Sequence, residues 1–195
     1  AYLILQPGNE HRREKIQAAL WPNDGQEEGA NNLRVTLSRL RSGMKALADD
    51  LPVVITRTTV TLLPNKIVCD AVEFDANLKA ARTATDPARR RHLLEQGVAH
   101  YRDELLAGYD VDWARSERQY REERYLSALG ELFQMAVKSG RVSDAVDYAH
   151  QILRTDPYQE EVSEWLAEHR KIRAPRPGDG SLVRDAVSGF VDSSD

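Results

Sequence analysis

Cysteine is almost missing from this chain: Cys69 is the only one in 195 residues. A single thiol excludes an internal disulfide framework and a cysteine-only zinc site. Long apolar runs are also missing, and no stretch approaches the roughly 20 residues that a membrane-crossing helix needs. The opening AYLIL is short, has no basic residues before it and meets Pro7-Gly8 at once, which does not fit a secretory signal. There is no excess of positive charge either. The formal net charge is −4, so any nucleic-acid site has to be a local patch. His11, His92, His100, His150 and His169 fall in no metal-ligand spacing. PGDGS near the end lacks the lysine and the preceding strand of a phosphate-binding loop. Glu117, Glu122 and Glu123 alternate with arginines, which suits helix-surface pairs rather than acid–base catalysis. No catalytic constellation, cofactor motif or metal site emerges. The expectation is a cytoplasmic, non-enzymatic protein without cofactors or membrane contact.

What is present is mostly helical pattern. The sequence predicts a short amphipathic helix over Arg12–Leu20 with Ile16, Ala19 and Leu20 inward, a turn at Trp21-Pro22-Asn23-Asp24-Gly25, and a longer helix over about 27–48. Residues 1–6 read as the end of a helix or strand. The β-branched run PVVITRTTVT suits a hairpin with its tip at Arg57-Thr58-Thr59, and Pro64–Asp70 adds a short extended piece. From Ala71 onward helices dominate. One opens with Val72, Phe74 and Leu78. Another starts at Asp86-Pro87 and carries Leu93, Leu94, Val98, Tyr101, Leu105 and Leu106 as an apolar stripe up to Gly108. Helices over Asp112–Ser139, Ser143–Thr155 and Tyr158–Ile172 follow, and 173–195 reads as a flexible tail or linker with at most one turn of helix near Val183–Val187. Cys69, Trp113 and Trp165 read as packing residues, and Arg89-Arg90-Arg91 as a solvated face.

The long helix near the start concentrates charge. NNLRVTLSRLRSGM, Asn31–Met44, holds Arg34, Arg39 and Arg41 and no carboxylate. At about 100° per residue, Leu33, Leu37, Leu40, Met44 and Leu47 form one core stripe, and Arg34, Arg41 and Lys45 line one flank. Asn31, Asn32, Ser38 and Arg39 cover the outer side. Arg can pair with a guanine edge and Asn with an adenine edge, while Ser, Thr and Lys suit phosphates. A short helix, a turn and such a second helix form the order that sets the second helix in a major groove, and a following hairpin could add a wing. A plain solvated helix face is the bland alternative, since Arg and Lys form helices well.

The strings EKIQAALWPND, ANNLRVTLSRLRSGM and VVITRTTVTLLP, in that order, resemble the winged-helix DNA-binding domain of bacterial transcription regulators of the SARP type (Streptomyces antibiotic regulatory proteins). The matching features are the Leu20-Trp21 pair, the run Ser38-Arg39-Leu40-Arg41 and the Thr56–Leu62 hairpin pattern. CDAVEFDANL and YRDELLAGYDVDWARSERQYREERYLSALGEL resemble the bacterial transcriptional activator domain that lies behind the winged helix in these proteins. The resemblance covers about residues 3–172. It implies a mainly α fold: a winged helix-turn-helix over 1–70, then a helical, tetratricopeptide-like domain over 71–172. It implies a sequence-specific DNA-binding transcriptional activator. Double-stranded DNA is the expected partner, with RNA polymerase or a second copy on direct repeats as further candidates.

Carried onto this chain, the contacts fall on Arg34, Thr36, Ser38, Arg39 and Arg41, with Arg57 and Thr58 on the wing. Asn31, Asn32 and Lys45 are additions from the helix face. Two departures from the family pattern, no residues for its opening antiparallel sheet and no further helix pairs, read as a truncated chain. Leu132, Ala136, Gly140, Val142, Ala145, Ala149 and Pro157 follow the spacing of one tetratricopeptide repeat, although Phe133 stands where a small residue is usual; a plain helical bundle is the alternative. The rival functions are a protein-interaction module whose winged helix no longer reads DNA, and a regulatory fragment of an enzyme.

Overall fold

The computed structural model describes residues 1–45 and 52–169. The expected helix end at Ala48, the core position Leu47 and the tail 173–195 lie outside the described residues. The chain divides into two compact units, Ala1–Leu132 and Phe133–Asp195, and the expected junction at 70/71 lies within the first. The described elements are, in order, β1 (Glu10–Arg12), α1 (Arg13–Leu20), α2 (Gln26–Lys45), β2 (Val53–Ile55), β3 (Thr59–Leu62), α3 (Asp70–Thr83), α4 (Pro87–His100), α5 (Asp112–Lys138), α6 (Val142–Thr155) and α7 (Glu160–His169). The chain is thus mainly helical with one small sheet. No described helix is long and apolar enough to cross a membrane.

The sheet is antiparallel in the order β1-β3-β2, with His11 opposite Val60 on one side and Ile55 opposite Val60 on the other. Strand β3 alternates as the pleat requires: Val60 and Leu62 are buried, while Thr59 and Thr61 are half-buried. Its buried face meets Ile16 of α1, Leu33 and Leu37 of α2 and Val53 of β2, and Leu20, Trp21 and Met44 pack at the margin. β1 is not legible in the sequence pattern. It takes only three residues, EHR, and exists through its pairing with β3. Residues 1–6 form turns rather than an element end, with the Ile4 amide donating to the Ala1 carbonyl at 2.9 Å.

Pro64–Lys66 is a single 3₁₀ turn and not an extended piece, with Pro64 at the first helical position, where its missing N–H costs nothing. Helix α4 stops at His100, short of the stripe that suggested continuation to Leu106. Beyond it Arg118 captures the chain: its Nη1 donates to the Leu106 carbonyl at 3.0 Å and its Nη2 to the Tyr109 carbonyl at 3.1 Å. The Leu106 carbonyl also accepts from the Tyr109 amide at 3.0 Å, so this stretch is a tight turn held by Arg118. Asp86 caps α4 as expected, accepting from the amides of Ala88 and Arg89.

Helices α3 and α4 pack closely at Gly97, where a Cβ would stand 2.9 Å from Leu78 Cδ2. Phe74, Leu78, Ala81, Leu93 and Leu94 are buried, as are Tyr125, Ala128 and Leu129 of α5. In the second unit Ala136, Ala145 and Ala149 have no exposed surface, and Phe133 meets Trp165 edge-on at 5.0 Å. Gly140, at φ 65°, ends α5, letting the Arg141 amide return to the Ala136 carbonyl at 2.9 Å.

Candidate nucleic-acid interface

Helix α2 has one fixed side and one free side. Leu33 and Leu37, 1% and 6% exposed, anchor it to the sheet. Glu27 and Glu28 occupy its first turn and Lys45 its last, in keeping with the helix dipole. The predicted core position Leu40 is instead 39% exposed. Met44, four residues further along α2, packs at the margin of the same core, so the exposure is particular to Leu40.

The free side carries two polar stripes at helical spacing. Arg34, Ser38, Arg41 and Lys45 form one, and all are exposed. Asn32, Thr36 and Arg39 form the other, with Thr36 and Arg39 exposed. Asn31 is exposed and accepts from Arg34 Nη2 at 2.7 Å. Among the described residues, Arg39, Arg41 and Lys45 have no ion-pair partner. Asn32 differs from the rest. It is half-buried, and its Nδ2 donates to Asp24 Oδ2 at 2.8 Å, so its amide ties the α1–α2 turn to α2. The structure therefore gives Asn32 a local structural contact, whereas the other predicted helix residues are presented outward.

The hairpin tip holds Arg57 and Thr58, both exposed. The turn contains no glycine, and Thr56 supplies the missing device. Its Oγ1 accepts from the amides of Thr58 at 3.2 Å and Thr59 at 2.9 Å, and lies 2.8 Å from Thr59 Oγ1. Arg13 braces the same tip, its amide donating to the Thr58 carbonyl at 2.9 Å and its Nη1 to the Arg57 carbonyl at 3.5 Å. The tip is thus held against the start of α1. The TRTT string was the signal for Thr56; nothing in the sequence marked Arg13.

Arginines elsewhere are used differently. Arg90 pairs with Glu131, Arg91 with Glu95, Arg115 with Asp110 and Asp112, and Arg118 with Glu104. Arg121, 3% exposed, is held by Asp75 at 2.9 Å and by Glu117; Asp75 also takes Arg124. Cys69 is half-buried at the start of α3, not a fully buried core residue. Among the described residues no three His, Cys, Asp or Glu side chains gather to hold a metal ion. Arg89 of α4 is exposed without an ion-pair partner among the described residues, so the unpaired cations of α2 differ from most, not all, arginines of α4 and α5.

A family model described as bacterial transcriptional activator domain matches residues 69–168, which spans α3 to α7. No curated protein matches the chain.

Proposed function

The chain belongs to the bacterial transcriptional activator domain family, and from that premise we propose that it is a sequence-specific DNA-binding transcriptional activator that acts in the cytoplasm without catalysing a reaction. In this reading residues 1–70 are a winged helix-turn-helix, α2 enters the major groove, and the β2–β3 hairpin is the wing beside it. Residues 71–172 are a tetratricopeptide-like activator domain that contacts RNA polymerase or a second copy bound to a direct repeat.

One observation carries the reading: α2 is pinned to the sheet by Leu33 and Leu37 while Arg34, Ser38, Arg39, Arg41 and Lys45 face outward. Such a face repels no phosphate and offers donors for guanine edges. The exposed apolar residues Val35 and Leu40, each 39% accessible, favour the second reading, in which α2 docks on a protein partner. Fluorescence anisotropy on duplex pools of genomic fragments, beside an Arg39→Ala/Arg41→Ala variant, separates the two. Binding that strengthens at low salt and collapses in the variant supports DNA recognition. A folded chain that binds no duplex supports the protein-docking reading.

A further inference from the structure

Two helices of this chain carry exposed stripes of opposite charge. On α2, Arg34, Arg41 and Lys45 are exposed, fall within about 40° of arc and extend over about 16 Å. On α7, Glu160, Glu161, Glu164 and Glu168 are exposed and fall within about 100° of arc, roughly opposite the buried Val162 and Leu166. Among the described residues none of these four carboxylates has an ion-pair partner. Glu160 and Glu161 suit the first turn of a helix, but Glu168 stands in the last turn, where the dipole disfavours a carboxylate. Local helix stability therefore does not account for the whole stripe. Residues 133–169 hold seven carboxylates against Lys138, Arg141 and Arg154, so the field of the surrounding unit adds to that of α7.

The order of charges along the chain sets the pairing. Glu27 and Glu28 precede the cations of α2, and Arg170, Lys171 and Arg173 follow the carboxylates of α7 in sequence. In both segments the signs run from negative to positive. An antiparallel pairing therefore matches opposite signs, and a parallel one sets like against like. Apolar groups stand beside both stripes. Val35 and Leu40, each 39% exposed, flank the cations of α2, and Tyr158, 89% exposed, stands two residues before α7. Burying these side chains supplies the contact energy that exposed ion pairs alone lack.

We propose that the cationic face of α2 docks antiparallel on the acidic face of α7 in a second copy of this chain. The contact goes beyond the proposed DNA contact and does not depend on it. Where both occur they use the same cations, so self-association and duplex binding exclude one another.

The test is sedimentation velocity of the full chain without DNA, over a series of protein and salt concentrations. Beside it run Arg34→Glu/Arg41→Glu, Glu164→Lys/Glu168→Lys and an equal mixture of the two variants. All four positions are exposed, and circular dichroism checks that each variant is folded. The expected result is self-association of the unaltered chain that weakens as salt rises. Each variant alone associates at least about tenfold more weakly. The mixture associates again, because the reversed α2 of one variant meets the reversed α7 of the other. If a reversal fails to fold, Glu164→Gln/Glu168→Gln, which only removes charge, serves with the same expectation of weakened association. An unaltered chain that stays monomeric, association that neither salt nor the variants weaken, or a mixture no tighter than its components overturns the proposal.

Discussion

At the residue scale, side chains of one type serve opposite purposes according to their surroundings. Asn31 and Asn32 are adjacent, and the sequence treats them as equals on the outer side of α2. The structure separates them, because Asp24 in the preceding turn reaches only Asn32. Asn32→Ala should lower stability by about 0.5–1.5 kcal/mol, the net worth of one such hydrogen bond. Chemical denaturation reads this directly, and base preference should be unchanged in any duplex the protein binds. A loss of sequence preference without loss of stability would return Asn32 to the contact surface. Arg121 is the extreme case. It is 3% exposed between Asp75 and Glu117, so Arg121→Ala leaves Asp75 to Arg124 alone and takes the buried cation from Glu117. The expected cost is about 1–3 kcal/mol, seen as a lower denaturation midpoint. Arg39, exposed and unpaired, should cost little stability when changed to Ala; its loss belongs to binding.

At the scale of elements, periodicity made α2, α4, α5 and α6 legible, since each buries residues three or four apart. The hairpin was legible from its β-branched run. What escaped is what local pattern does not encode. β1 is polar and exists by pairing. α4 ends at His100 although Leu105 and Leu106 continue the apolar spacing, and beyond it the loop is held by Arg118, from another helix. Leu40 keeps the core spacing yet is exposed, while Met44 beyond it packs at the core margin. Element contacts give two tests. Gly97 lets α4 approach Leu78 of α3, so Gly97→Val should destabilise by about 1–3 kcal/mol, read by thermal unfolding, despite replacing a poor helix former. Asp156 joins α6 to α7, accepting from Gln159 Nε2 at 2.7 Å and from the Tyr158 amide at 3.1 Å. These bonds, Gln159 first, hold its carboxyl below the ordinary carboxylate range. A depressed carboxyl contributes stability that is complete above its unfolded-state value and is lost as pH falls through the folded one. The protection factor of the Tyr158 amide should therefore remain constant near neutrality and fall relative to those of neighbouring amides below the carboxylate range, and Asp156→Asn should remove that acid dependence.

At the scale of the whole molecule, charge decides between a general and a local account of binding. The chain carries 31 acidic against 27 basic side chains, so its net field opposes a polyanion. On the proposed function, association depends on Arg34, Arg39, Arg41 and Lys45 of α2 with Arg57 at the hairpin tip, all exposed. Each cation placed on a phosphate releases condensed counterions, and log K falls with log salt by about 0.9 per contact. If all five engage phosphates, the slope should be about −4 to −5, although the protein as a whole is acidic. Each of Arg39 and Arg41 that touches phosphate should, when changed to Ala, reduce the slope by about one, with affinity falling alike on all sequences. One that reads a base should instead lower affinity on the preferred sequence by about 1–3 kcal/mol and flatten the preference. Anisotropy titrations of both single variants over a salt series, on a preferred and a scrambled duplex, resolve these outcomes residue by residue. A slope near zero would place the binding energy elsewhere than the cationic face of α2, and would favour Val35 and Leu40 as the surface of a protein contact.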